Sequence, residues 1–188
     1  MGWLIIVGTI PIAVLGVLFE DAIESSLRNL YLTAAMLILF ALILAGADRF
    51  GRKQRQLDQL TWHHGLLFGF AQALALIPGV SRSGGTITAG LLLGYTREAS
   101  ARYSFLLAVP AVLASGFYQL FSSWGQINPI GAGPTVLATV VAFSVGYGVI
   151  VVFLRIVSVH SYLPFVLYRV ALGAFVLALL LAGILEPY

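Results

Sequence analysis

Leu76–Gly90 reads LIPGVSRSGGTITAG. One proline, four glycines, two serines and an arginine stand here between two apolar arms, Leu66–Ile77 and Thr86–Tyr95. The 188-residue chain around them is 60% hydrophobic and 9% charged, with a mean hydropathy of +1.00. Soluble domains carry about 25% charged residues, so the solvent of this chain is a bilayer. Loose backbone at membrane depth is tolerated only where it is buried in protein or lines a watery cavity. The stretch is therefore expected to be a site rather than a linker.

Apolar runs of about 17–25 residues cross a bilayer as helices. Five are expected, near Trp3–Phe19, Leu30–Ala47, Ala101–Phe121, Pro134–Leu154 and Leu163–Leu185. The whole of 1–188 reads as one integral membrane domain, all-α and polytopic, with no tandem repeat or low-complexity segment. The opening MGWLIIVGTIPIAVLGVLF has no basic residue before its apolar run and does not read as a cleaved signal peptide. Cysteine is absent, which excludes disulfides and thiolate metal sites.

The two arms of the quoted stretch rise about 18 Å and about 15 Å at 1.5 Å per residue. Neither spans a core of about 30 Å alone, so residues 63–96 form either one kinked span or a re-entrant hairpin. As a hairpin, one side of the membrane collects Arg49, Arg52, Lys53, Arg55, Arg97, Arg102 and Arg155. The other keeps only Arg28, beside Glu20, Asp21 and Glu24, with Glu186 at the far terminus. As a full span the bias disappears. The positive-inside rule selects the hairpin, entering from the cytoplasm, with the N-terminus inside and the C-terminus outside. Gly65 and Gly69 on one arm, and Gly90 and Gly94 on the other, are expected to let the arms pack closely.

Pro78 and Gly79 can end the first arm, since proline breaks the hydrogen-bond ladder and glycine accepts left-handed angles. The second arm is expected to start near Ser83–Thr86 with a serine cap. Free N–H groups at a helix start bind anions, and the Arg82 guanidinium presents a fork matched to phosphate oxygens. An arginine near the bilayer centre costs about 2.5–3.5 kcal/mol on insertion scales. The motif holds no acid to neutralise it, so the reading is a phosphate cradle for an amphiphile, with Ser81, Ser83, Thr86 and Thr88 adding hydroxyls. Structurally, the alternative is a helix break whose arginine pairs with a carboxylate or carbonyls elsewhere.

Pro78–Thr86, PGVSRSGGT, resembles the PGxSRSxxT signature of the bacterial undecaprenyl-diphosphate phosphatases, the bacitracin-resistance family. The flanks GTIPIAVLG (Gly8–Gly16), AQALALIPG (Ala71–Gly79) and ARYSFLLAVPAVLASG (Ala101–Gly116) extend the resemblance over essentially the whole chain. It implies a cell-membrane hydrolase that removes the terminal phosphate of a C55 isoprenoid diphosphate. That reaction regenerates the lipid carrier for peptidoglycan, and so supports cell-wall synthesis, cell shape and bacitracin resistance. It implies an inverted-repeat architecture with paired re-entrant hairpins. It also implies that Arg82 and Ser81 act in catalysis, that Gly79, Ser83, Gly84, Gly85 and Thr86 hold the diphosphate, and that a divalent cation, Mg2+ or Ca2+, assists.

The family's other half-repeat carries an acidic Glu/Gln-x-x-x-Glu helix and a serine-rich loop followed by histidine. This chain is expected to start after it and to lack the metal-binding carboxylates, so that its own activity is in doubt. Glu20-x-x-x-Glu24 has the spacing but lacks the proline and serine-rich loop behind it, and reads as a solvated loop. A non-enzymatic carrier or flippase for an anionic isoprenoid lipid is the rival reading, since transporters also place broken helices at the midplane.

His63, His64 and His160 read as interfacial or solvated groups, and Gln72 as a helix-packing residue that could reach the cradle. Arg169, about 9 Å into the last span at 1.5 Å per residue, reads first as a snorkelling side chain. A contact with the diphosphate or a carboxylate is its alternative. The basic loop Arg49–Arg55 is a topology signal with scope for anionic-lipid contact; nucleic acid is not an expected partner. The sequence does not give the oligomeric state.

Overall fold

The computed structural model describes residues 1–19, 29–122 and 131–187. Among them the chain forms seven α-helices: α1 (Gly2–Leu18), α2 (Leu30–Phe50), α3 (Trp62–Ala73), α4 (Arg82–Leu92), α5 (Arg97–Ser122), α6 (Ala132–Val159) and α7 (Leu163–Leu181). Within the described residues no strand forms beyond one isolated bridge, Arg55 to Tyr95. The all-α polytopic reading holds. Helices α2, α5, α6 and α7 are long and apolar enough to cross a membrane, and the 17-residue α1 is a shorter apolar helix. Glu20, Asp21, Glu24 and Arg28 lie outside the described residues.

Polar caps set the helix starts. Asn29 accepts the N–H groups of Tyr31 and Leu32 to open α2, Thr61 accepts from His64 to open α3, and Thr96 accepts from Ala99 to open α5. Each satisfies donors that a helix start leaves bare.

Helices α3 and α4 are the two arms, and they form a hairpin whose ends meet. The Gly94 carbonyl accepts from both Gln54 and Arg55, and Thr96 N–H returns a bond to Arg55. The Tyr95 hydroxyl lies 3.3 Å from the Gln59 carbonyl and 2.7 Å from His64 Nδ1. The chain thus leaves α4 at the level where it entered α3.

Seven basic residues gather at that level. Asp48, in the last turn of α2, accepts from Arg97 Nε at 2.6 Å, and its second oxygen takes the Tyr162 N–H at 3.0 Å. This one carboxylate ties together the end of α2, the start of α5 and the loop between α6 and α7. At the opposite end Leu30 N–H bonds the Pro187 carbonyl.

The apolar core runs along α2, α4, α5 and α7, through Ala41, Leu44, Ala47, Ile87, Leu91, Ala101, Tyr162 and Val166. A second cluster joins Phe68, Tyr95, Tyr103 and Leu107.

The glycine pairs pack differently from the expectation. Gly65 and Gly69 do not face the other arm: a Cβ at Gly69 would strike the Gly8 carbonyl of α1, and one at Gly65 would touch Leu4 of α1 and crowd the Tyr103 hydroxyl of α5. Gly90 does serve the hairpin, because a Cβ there would lie 2.7 Å from the Phe68 ring and 2.5 Å from Ser100 Oγ. Gly94 is a turn residue at φ 87°.

The hairpin also reaches deeper than its arms suggested. Gly79 packs beside Thr33 in the first turn of α2, about 23 Å along that helix from Asp48 at 1.5 Å per residue. The tip stands near the far end of the bundle rather than at its middle.

Candidate anion site at the helix break

The first arm ends earlier than Pro78. Helix α3 stops at Ala73 and tightens into a 3-10 turn over Leu74–Leu76. Gly79 then turns the chain at φ 91°, where a side chain would be strained and would collide with the Thr33 carbonyl. Ser81 follows at φ 69°, a region sparsely used by any residue with a Cβ. Such strain, about 1–3 kcal/mol, persists where surrounding contacts enforce it, and it clusters at functional sites.

Ser81 caps α4. Its Oγ accepts from Gly84 N–H at 3.3 Å, and its carbonyl takes Gly85 N–H at 2.9 Å. The helix therefore begins at Arg82, and in its first turn the amides without an acceptor among the described residues are those of Arg82 and Ser83. Gly84 and Gly85 contribute by their size. A Cβ at Gly84 would lie 2.6 Å from Arg169 Nη1, and one at Gly85 would lie 2.7 Å from the Ala71 carbonyl.

Thr86 is fully buried. Its hydroxyl bonds the Arg82 carbonyl at 2.9 Å and Ser104 Oγ at 2.6 Å, which ties α4 to α5 beneath the break. Thr88 likewise bonds back to the Gly84 carbonyl. The side chains at the surface of the break are those of Ser81, which is exposed, and Arg82 and Ser83, which are half-buried. The Arg82 guanidinium has no ion-pair or hydrogen-bond partner among the described residues.

Arg169 is the residue that sequence reasoning under-rated. It does not snorkel. Gly173, one turn further along α7, packs against Ala34 and Ile38, the same level of α2 as Gly79. Arg169 extends toward that level, away from the nearer end of its helix. Its Nη2 donates to the carbonyls of Gly79 at 2.7 Å and Val80 at 3.0 Å. Its Nε is buried without a partner. The guanidinium braces the irregular turn by filling carbonyls that no helix can satisfy, and it sets a second positive charge under the first turn of α4. Its signal in the sequence was an arginine inside an apolar span.

Gln72, the penultimate residue of α3, is fully buried with both side-chain amide atoms unpaired among the described residues. Phe68, Gly90 and Ser100 meet in one layer of α3, α4 and α5. One turn nearer the break, that register brings Gln72 to the level of Thr86 and Ser104. An unsatisfied buried amide costs about 1–3 kcal/mol.

Among the described residues no acid pairs with Arg82 or Arg169. Asp48 serves Arg97 at the other end, and Glu98 pairs with Arg102 at 2.9 Å. Among the described residues no group of three His, Asp or Glu could hold a metal. His63 stacks on Trp62 with ring centroids 3.5 Å apart, and His160 bends back toward the Ile156 carbonyl.

The break therefore combines two guanidiniums, two free amides at a helix start and exposed hydroxyls, which is the donor set for an oxyanion. The chain is 68% identical over 186 residues to undecaprenyl-diphosphatase 2 of Agrobacterium fabrum, covering 99% of this chain and 67% of that protein. It is 64% identical over 188 residues to the undecaprenyl-diphosphatase of Kineococcus radiotolerans, covering 100% and 67%. For that of Thermobifida fusca the identity is 53% over 187 residues, covering 100% and 64%. The chain thus spans about two thirds of the length of these relatives. Residues 1–175 match the family described as bacitracin resistance protein BacA, and the chain belongs to that family.

Proposed function

We propose that this chain acts in the hydrolysis of undecaprenyl diphosphate to undecaprenyl phosphate and phosphate, and that the break at Pro78–Thr86 holds the diphosphate. In the cell membrane this recycles the lipid carrier for peptidoglycan and underlies bacitracin resistance. The observation that carries the reading is the pair Arg82 and Arg169. Two cations and a helix start converge on one irregular turn with no carboxylate among the described residues to neutralise them.

In this reading Arg82 grips the phosphate oxygens, with the amides of Arg82 and Ser83 and the hydroxyls of Ser81 and Ser83 completing the cradle. Arg169 holds the turn in shape and adds field from beneath. Phosphoryl transfer is served above all by positioning and by stabilising developing charge. Thr86 and the two glycines act from below, by fixing the backbone that carries the donors. A divalent cation, Mg2+ or Ca2+, belongs to the proposal by family resemblance. The described residues do not fit one, because no group of three His, Asp or Glu among them is gathered to hold it, and no step is routed through it. The re-entrant placement of the hairpin, with the N-terminus cytoplasmic and the C-terminus external, rests on the gathering of basic residues at one end.

The test compares the chain with Arg82→Ala in lipid nanodiscs, reading C55-diphosphate binding and phosphate release. A charge-assisted hydrogen bond is worth about 1.5–3 kcal/mol, so affinity should fall roughly ten- to hundredfold. Equal binding and equal release by the two proteins would remove the assignment.

A further inference from the structure

A second set of cations surrounds a pocket at the other end of the bundle. The last turn of α2 and the first residues of α5 and α7 enclose a half-open space of about 310 Å³, lined by Asp48, Arg49, Lys53 and Arg97 with Ala45 and Leu163. Three cations face one carboxylate. Asp48 is nearly buried and fully committed: one oxygen takes Arg97 Nε, the other the Tyr162 N–H, and Lys53 Nζ bonds its backbone carbonyl.

What remains is positive. Arg97 uses only Nε on Asp48, so its two terminal nitrogens have no partner among the described residues. Arg49 is exposed and likewise without one. Lys53 is held at φ 52°, a left-handed conformation uncommon for a lysine.

The surroundings of the pocket select its ligand. It lies where three apolar helices end, at the depth of a headgroup. Its apolar wall continues outward along α7 through Leu163 and Leu167, four residues apart and 54% and 59% exposed. A phosphate anchored on an acyl chain satisfies both the cations and this apolar track, whereas a free anion satisfies only the first. The pocket is also remote from the break, about 23 Å away along α2 between Asp48 and the level of Gly79.

We propose that this pocket is a binding site for the headgroup phosphate of an anionic phospholipid, with an acyl chain lying along Leu163 and Leu167. The site is separate from the diphosphate cradle. It couples the ends of α2, α5 and α7 through Asp48, and its occupant neutralises charge that the protein itself leaves unpaired.

The experiment is native mass spectrometry of the purified, delipidated chain titrated with phosphatidylglycerol, phosphatidylcholine or inorganic phosphate. The chain should bind phosphatidylglycerol in preference to phosphatidylcholine, and inorganic phosphate should not displace it. Each basic residue contributes about as much as one juxtamembrane Lys or Arg, so Arg49→Ala with Lys53→Ala, which keeps the Asp48–Arg97 pair, should weaken phosphatidylglycerol roughly 30-fold. Arg155→Ala, a basic residue of the same end outside the pocket, should leave it unchanged. Equal binding of the two lipids, full retention by the double variant, equal loss in Arg155→Ala, or displacement by inorganic phosphate would each overturn the proposal. Should the double variant lose its helical circular dichroism, the wild-type preference read from about 0.05 to about 1 M salt decides. The preference must shrink as the screening length falls from roughly 14 to 3 Å, and a salt-independent preference defeats the electrostatic site.

Discussion

Ser81 shows what one residue carries at this break. Its φ of 69° would suit glycine, yet its hydroxyl caps α4 through Gly84 N–H. Two substitutions separate these effects. Ser81→Ala keeps the strain and loses the cap, which costs about 0.5–2 kcal/mol. Ser81→Gly also loses the cap side chain but relieves a backbone penalty of about 1–3 kcal/mol. Ser81→Gly is therefore expected to be at least as stable as the native chain and more stable than Ser81→Ala by about 1 kcal/mol. Thermal unfolding in detergent measures this. If Ser81→Gly unfolds first, the serine is not strained. A serine kept where glycine would be more comfortable is kept for its hydroxyl, in line with a role facing the ligand.

At the scale of elements, the hairpin was legible because two half-length apolar arms and a one-sided set of cations favoured it over a kinked span. The partner of each arm was not. A small-xxx-small pair states that a backbone comes close without naming which one, and Gly65 and Gly69 admit α1. Arg169 was hidden for a similar reason: depth along its own helix is a sequence quantity, but the tip of another element arriving beside it is not. The free amides were misplaced because the cap is Ser81 and the helix starts at Arg82, earlier than Ser83–Thr86. The α1–α3 contact has a direct test. Gly69→Ala drives a methyl into the Gly8 carbonyl and should cost about 1–3 kcal/mol, as overpacking does. Gly116→Ala, in α5 with nothing within 4 Å of the added carbon, should be neutral or stabilising by up to about 1 kcal/mol. Unfolding titrations in sodium dodecyl sulfate compare the two, and equal effects would mean that α1 and α3 do not touch there.

For the whole molecule the deciding geometry is the closure between Gln59 and Tyr95. It makes the chain enter and leave the hairpin at one level, so the number of crossings on each side follows. Helix α1 runs alongside α3, with Leu4 near Gly65 and Gly16 near Leu76, which starts the chain at the basic end. Pro187 meets Leu30 at the other end, so the termini stand apart. The chain has no cysteine, and single cysteines therefore report position without a background. Gln56→Cys lies just before the first arm and Glu98→Cys just after the second, where the native side chain is 45% exposed. Glu186→Cys marks the opposite end. In right-side-out vesicles a membrane-impermeant maleimide should leave Gln56→Cys and Glu98→Cys unlabelled until the membrane is permeabilised, because the proposed orientation puts the cations of that end in the cytoplasm. Glu186→Cys should label at once. If Gln56→Cys and Glu98→Cys fall on opposite sides, residues 63–96 cross the bilayer as a span, the first turn of α4 no longer lies at the tip of a hairpin, and the anion site loses the geometry that defines it.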